Sequence, residues 1–157
     1  MASVDLSHAY YSVPIAEEQQ WFLCFQWRGR VFRFTCLANG VSEGPKLFTK
    51  LMKPVFAALC AQNYTITSYI YDTLICGATR SDCSACVTDT LRLLRNLGFC
   101  INVEKSVLVP TTCIEYLGNV INSVSMTVTL PTRRVERILS GCTSLLGKWR
   151  VRIREVA

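Results

Sequence analysis

Residues 64–78 read YTITSYIYDTLICGA, and the fold turns on how this stretch is divided. β-Branched and aromatic residues fill it on both sides of Asp72, which predicts two short strands joined by a tight bend with the acid at the bend. Downstream, Ser81 is placed to cap a helix that carries Val87, Leu91, Leu94 and Leu97 and is stopped by Gly98. Upstream, NGVSEGP (39–45) is loop-like; Ser42 can cap a second helix, with Pro45 in its first turn, where a missing N–H costs little. In that helix Leu47, Leu51 and Val55, with Phe48, Met52 and Phe56 beside them, recur every four residues and predict a wide buried face.

Further out, WFLCFQW (21–27) and VFRFTCL (31–37) flank a β-hairpin turn containing Gly29, an insertion over about residues 20–36. The chain opens on ASVDL (2–6), a short apolar run ending in Asp5 and Leu6. Toward the other end, FCINV, SVLV, CIEYLGNVI and MTVTL read as short strands. Pro131 then opens a last helix with Val135, Ile138, Leu139, Cys142 and Leu145 on one side. Two helices against one face of a largely antiparallel sheet is an α+β arrangement. Its opening strand and its central hairpin each deliver a carboxylate, Asp5 and Asp72, and these meet at one edge of the sheet if the two strands are neighbours.

At 157 residues, half of them apolar, the chain suits one domain that buries roughly 70% of its unfolded surface. It has no apolar run of about 18 residues, and its first residues lack the layout of a signal peptide. An intracellular protein, in cytoplasm or nucleus and without a membrane partner, is the expectation. The nine cysteines fall singly inside strand-like and helix-like runs, which predicts buried free thiols rather than a disulfide scaffold. Cys83 and Cys86 have zinc-knuckle spacing, but without a second such pair two helix-surface residues are the simpler reading. Net charge is +6, concentrated at the end: Arg133, Arg134, Arg137, Lys148, Arg150, Arg152 and Arg154 stand against Glu136 and Glu155. Charge alone suits a polyanion such as nucleic acid and a solvated helix face equally well.

SVDLSHAYYSVPI (3–15), LANGVSEGPKLFTKLMKP (37–54), SYIYDTLI (68–75), LGFCINVEKS (97–106) and IEYLG (114–118) resemble, in order and spacing, motifs A to E of reverse transcriptases. MTVTLPTRRVERIL (126–139) and VRIREVA (151–157) look most like the retroelements with tyrosine recombinases, DIRS-like, with LTR elements close behind. The resemblance implies a polymerase palm, a ferredoxin-like antiparallel sheet with helices on one face. It covers about residues 2 to 156, divided as palm over 1–122 and the basic start of a thumb over 123–157. The palm's fingers are expected to be missing before motif A, and the RNase H segment after the tail.

Position by position, the resemblance makes Asp5 the motif A metal ligand and the Leu6 backbone carbonyl a further one, with Asp72 the second acid of motif C. Tyr10 matches the aromatic that excludes a ribonucleotide 2′-hydroxyl, while Tyr11 reads as core. Asn39 and Gly40 match the nucleotide-binding motif B, in which Ala38 replaces the usual proline and Glu43 adds a charge unfavourable to a triphosphate. Lys105 matches the motif D lysine, a candidate general acid, although an ordinary exposed lysine fits equally. Tyr116, Leu117 and Gly118 match the primer grip, and Arg133, Arg134 and Arg137 are candidate nucleic-acid contacts. His8, the chain's one histidine, stands where relatives place an acid and reads as a tolerated variant.

Motif C departs from the family pattern. Relatives read YxDD, and here Tyr71 occupies the first, essential Asp position. A phenol with a reference pKa near 10 is neutral at pH 7 and a poor partner for Mg²⁺. Ancestrally, two Mg²⁺ ions, a dNTP and an RNA or DNA template-primer are implied; with Tyr71 in place, loss or severe reduction of polymerisation is expected. The other possibility is a non-catalytic nucleic-acid or protein binding module derived from a degenerate retroelement.

Overall fold

The computed structural model describes residues 1–148, 150 and 152. Arg154, Glu155 and most of the tail motif VRIREVA lie outside them. The chain order is β1 (Ala2–Ser7), β2 (Cys24–Trp27), β3 (Arg30–Arg33), α1 (Gly44–Cys60), β4 (Thr65–Tyr69), β5 (Asp72–Cys76), α2 (Arg80–Asn96) and β6 (Cys100–Ile101). It continues with β7 (Cys113–Tyr116), β8 (Asn119–Asn122), β9 (Thr127–Thr129) and α3 (Thr132–Leu146). Two compact units result, Met1–Thr111 and Thr112–Ala157.

In the first unit β4, β5, β1 and β6 form one antiparallel sheet in that order, the ferredoxin-like arrangement expected. Alternation along β1 turns Ala2, Val4 and Leu6 inward. They meet Ile75 of β5, Phe48 and Met52 of α1, and Cys83, Cys86, Val87 and Leu94 of α2, so both helices cover the same face. At the far end of β5, Gly77 lets α2 approach: a Cβ there would lie 2.5 Å from the Cys83 backbone nitrogen.

Several local expectations are corrected. Asp72 is not at the bend; it is the first residue of β5, and Ile70 and Tyr71 form the turn, with Ile70 at φ 57°. The cap of α2 is Thr79, not Ser81: its hydroxyl accepts from the Asp82 N–H and the Asp82 carboxylate accepts from the Thr79 N–H, a reciprocal capping box. Gly98 does end this helix, its N–H donating to the Arg95 carbonyl while Phe99 N–H donates to that of Leu94. Helix α1 begins at Gly44 with Glu43 as its cap, so Ser42 lies outside it. Its buried face is narrower than the repeat suggested, since Phe48 and Met52 are buried whereas Leu47 and Leu51 are about half exposed.

SVLV contributes a single bridge, Val107 to Ser3, rather than a strand, and Trp21–Leu23 belong to a 3-10 turn that precedes β2. All nine cysteines are free thiols, but only Cys83 and Cys86 are buried; Cys24, Cys60, Cys100, Cys113 and Cys142 are exposed. The buried pair faces the core, with Cys83 Sγ 3.8 Å from the Ile75 carbonyl oxygen and Cys86 Sγ 4.0 Å from Thr90 Oγ1. No helix among the described residues is long and apolar enough to cross a membrane.

The second unit is a three-stranded antiparallel meander, β7-β8-β9, followed by α3. Leu117 and Gly118 join β7 to β8 with the two positive φ values, 49° and 73°, of a type I′ turn. A division of the chain at 122 therefore cuts this meander between β8 and β9. Pro131 caps α3, whose Val135, Ile138 and Leu139 form the expected apolar stripe, yet all three are exposed.

Candidate active site

The register of β1 against β5 sets Asp5 directly opposite Asp72, and β4 sets Tyr69 opposite Asp72 on its other side. Directly opposed residues in an antiparallel pair share a face, so the two carboxyl groups meet, close enough that one, when protonated, can hydrogen-bond to the other. Burial, then the negative charge of Asp5 and then that hydrogen bond raise the Asp72 pKa above its ordinary value, with Lys105 pulling the other way.

The sign of this shift gives a testable consequence. An acid whose folded pKa is raised stabilises the fold below the unfolded carboxyl range, and that contribution is lost as pH rises through the folded value. At pH 7 the Asp72 charge is therefore a cost. We expect Asp72→Asn to raise stability at pH 7 by up to about 1 kcal/mol, after discounting for solvent screening, and to give no gain at pH 3. Urea denaturation at both pH values checks this; an equal gain at both would refute the electrostatic cause.

The segment after β6 is tied to β1. Asp5 N–H donates to Ser106 Oγ at 3.0 Å, Asn102 N–H donates to the Asp5 carbonyl at 2.9 Å, and Ser106 Oγ donates to the Asn102 carbonyl at 2.6 Å. These bonds hold the NVEKS loop against the strand and put Lys105 at the mouth of the site. On the opposite side, Leu6 N–H donates to the Tyr71 carbonyl at 3.3 Å, which fixes the β4–β5 turn beside β1.

Tyr71 is 40% exposed and presents its ring edge to Tyr10, with centroids 6.5 Å apart. Tyr10 in turn packs edge-on against the buried Phe48 at 5.6 Å. Burial, together with the Tyr71 and Tyr69 phenols, pushes the Tyr10 phenol above its usual range. His8, at φ 54°, turns the chain out of β1 into the short Ala9–Ser12 helical turn that carries Tyr10.

A cleft of about 490 Å³ results, whose lining includes Asp5, Leu6, Tyr10, Asn39, Tyr71 and Lys105. Asp72 is not on its lining, and Gly40, at φ 91°, follows Asn39 without lining it either. The reading of Tyr11 as core is corrected: Tyr11 is 44% exposed, lines the cleft, and its hydroxyl accepts from Asn39 Nδ2 at 3.0 Å. His8, Ile70 and Asn102 also line the cleft. Asn102 went unnoticed in sequence although it lies inside the NVEKS motif, because its contribution is a backbone bond to a distant strand.

Two carboxylates, Asp5 and Asp72, do not fit a site for two dications, which needs several anionic oxygens. No cluster of three or more His, Cys, Asp or Glu suited to a metal ion occurs among the described residues.

Within the second unit, Gly118 of the β7–β8 turn and the start of α3 border a cavity of about 460 Å³ lined by Glu115, Gly118, Pro131, Arg133, Arg134 and Arg137, while Tyr116 and Leu117 are not on its lining. Arg134 Nη1 donates to the Gly118 carbonyl at 3.2 Å, and a Cβ on Gly118 would lie 2.8 Å from that nitrogen. Arg133 pairs with Glu115. The three arginines singled out in sequence thus come together beside that turn.

Residues 1–121 match the family described as "Reverse transcriptase (RNA-dependent DNA polymerase)". The chain belongs to the reverse transcriptase family. Similar proteins include the Gag-Pol polyprotein of Avian reticuloendotheliosis virus, 26% identical over 144 residues, covering 87% of this chain and 12% of that protein. The Gag-Pol polyprotein of Walleye dermal sarcoma virus is 28% identical over 139 residues, covering 84% of this chain and 8% of that protein. This reverse transcriptase domain therefore spans about a tenth of the length of such relatives.

Its fold is shared with solved structures of a foamy viral protease-reverse transcriptase. One, in complex with an RNA/DNA hybrid, has a TM-score of 0.76 at 24% identity, over 88% of this chain and 18% of that one. Another, in complex with double-stranded DNA, has a TM-score of 0.80 at 22% identity, over 98% of this chain and 25% of that one.

Proposed function

We propose that this chain is the palm of a reverse transcriptase from a DIRS-like or LTR-like retroelement, ancestrally an RNA-directed DNA polymerase and now catalytically impaired. The reaction is attack of a primer 3′-hydroxyl on the α-phosphate of a dNTP, supported in the family by divalent metal, for which Mg²⁺ is the expected ion. In this reading Asp5, Asp72 and the Leu6 carbonyl are the remnant of the metal site. Tyr10 screens the sugar, Asn39 and Gly40 border the nucleotide, Lys105 serves as general acid, and Tyr116, Leu117 and Gly118 hold the primer end.

The observation that carries the impaired state is Tyr71, a phenol rather than a carboxylate in the turn beside the paired acids, edge-on to Tyr10. Primer extension, with fingers supplied by a related polymerase, tests it by comparing the chain with Tyr71→Asp. Synthesis by the revertant alone supports the reading; robust Mg²⁺-dependent synthesis with Tyr71 in place overturns it.

A second reading, a binding module without catalysis, is favoured by the arginines gathered beside Gly118. If Arg133, Arg134 and Arg137 meet phosphates, replacing all three with Gln should flatten the dependence of log affinity on log salt for RNA by about two to three. An unchanged slope would remove these arginines from the interface.

A further inference from the structure

We infer that the cleft beside Asp5 is a binding site for a quaternary ammonium group, caged by aromatic rings where a pair of metal ions does not fit. This rests on the reading above that the cleft no longer holds two dications. Three of its lining residues are the tyrosines Tyr10, Tyr11 and Tyr71, and His8 adds a fourth ring. The Tyr10 and Tyr71 planes stand 80° apart with centroids at 6.5 Å, so they form the two walls of a corner, whereas His8 and Tyr11 lie nearly parallel, 18° apart at 5.9 Å. Two of the rings are held before any ligand arrives: Tyr10 packs on the buried Phe48, and the Tyr11 hydroxyl accepts from Asn39 Nδ2. Asp5 lines the same cleft, and no ion pair among the described residues engages it.

The chemistry of this lining selects the cation. Mg²⁺ wants anionic oxygens and parts reluctantly with its water, so a wall of rings offers it little. A quaternary ammonium spreads its charge over methyl groups, has no N–H to satisfy, and is drawn to the faces of aromatic rings. The Asp5 carboxylate supplies the countercharge, and a cleft of about 490 Å³ leaves room for the chain that carries the ammonium. Lys105, on the same lining, opposes a cationic ligand and favours an anionic one, so its removal has opposite effects on the two.

The test uses the whole chain in isothermal titration calorimetry with choline and with dimethylbutanol, in which carbon replaces the nitrogen of choline and removes its charge. Choline should bind at least about fivefold more tightly than this isostere. Tyr71→Leu should weaken choline binding roughly fivefold, whereas Tyr71→Phe, which keeps the ring, should stay within about twofold of the native affinity. Lys105→Gln should tighten choline binding about twofold and weaken any binding of dTTP. A peptide bearing trimethyllysine, set against its unmethylated form, separates a protein-borne ammonium group from a free one. Equal affinity for choline and the isostere, unchanged choline affinity in Tyr71→Leu, or weaker choline binding in Lys105→Gln would overturn the inference. Those results would leave the impaired polymerase reading standing, since that reading falls to primer extension with Tyr71 in place.

Discussion

Tyr71→Asp is expected to raise Mn²⁺ affinity at the β4–β5 turn by roughly a hundredfold, since an added anionic ligand between existing acids supplies several kcal/mol of charge stabilisation. The physical ground is placement. Tyr71 sits in the turn where its carbonyl accepts from Leu6 N–H, and it lines the same cleft as Asp5, so a carboxylate there joins Asp5 in one cleft. Three acids in one place repel one another. Asp72, already raised by burial and by the charge of Asp5, should be raised further, and the gain in metal affinity should therefore grow as pH rises. Removing the phenol also forfeits the edge contact with Tyr10, about 0.5–1.5 kcal/mol, so the revertant should be slightly less stable without metal and more stable with it. Electron paramagnetic resonance of bound Mn²⁺ measures the affinity, with Tyr71→Phe as the control that should gain nothing. An equal gain in Tyr71→Phe would mean that loss of the phenolic hydroxyl, not the added charge, is responsible.

Phe48→Ala should destabilise the chain by about 3–5 kcal/mol, a large part of the 5–15 kcal/mol available to a typical domain. Phe48 is fully buried and joins three elements: its ring meets Tyr10 edge-on at 5.6 Å and Phe99 at 6.1 Å, and its own helix carries it against β1 and β5. Truncation leaves a cavity under Tyr10, so the tyrosine beside the cleft loses its support together with the core. Phe48→Leu, which keeps most of the volume, should cost less than half as much. Urea denaturation of both variants decides the matter. A loss below about 1 kcal/mol for alanine would show that α1 contributes little to the core.

The α1 stripe shows where sequence reading stops. Leu47 and Leu51 form one four-residue repeat and Phe48 and Met52 another beside it, and periodicity ranks neither; contact with β1 and α2 buries the second and leaves the first half exposed. Capping shows the same limit. Ser81 and Thr79 are both competent caps for α2, and the reciprocal bond with Asp82 selects Thr79. Cysteines in apolar runs looked buried, yet a short strand with an open face exposes the same residue type, as at Cys24 and Cys113. The apolar stripe of α3 was legible, while its exposure was not, because no periodicity says whether a partner covers it.

Local chemistry determined what the sequence by itself could state. Gly29 marked one hairpin turn and the β-branched residues around Asp72 another, the ordered motifs identified the family, and Tyr71 stood out as the replaced acid, whereas CIEYLGNVI read as a single strand and is split by the Leu117–Gly118 turn into β7 and β8. Only the tertiary structure decided that Asp5 faces Asp72, that Tyr71 lies edge-on to Tyr10, and that Asn102 and Ser106 lock Lys105 to the cleft. Those contacts join residues far apart in the chain. Strand register and side-chain packing set them, and neither is encoded in any short window of sequence.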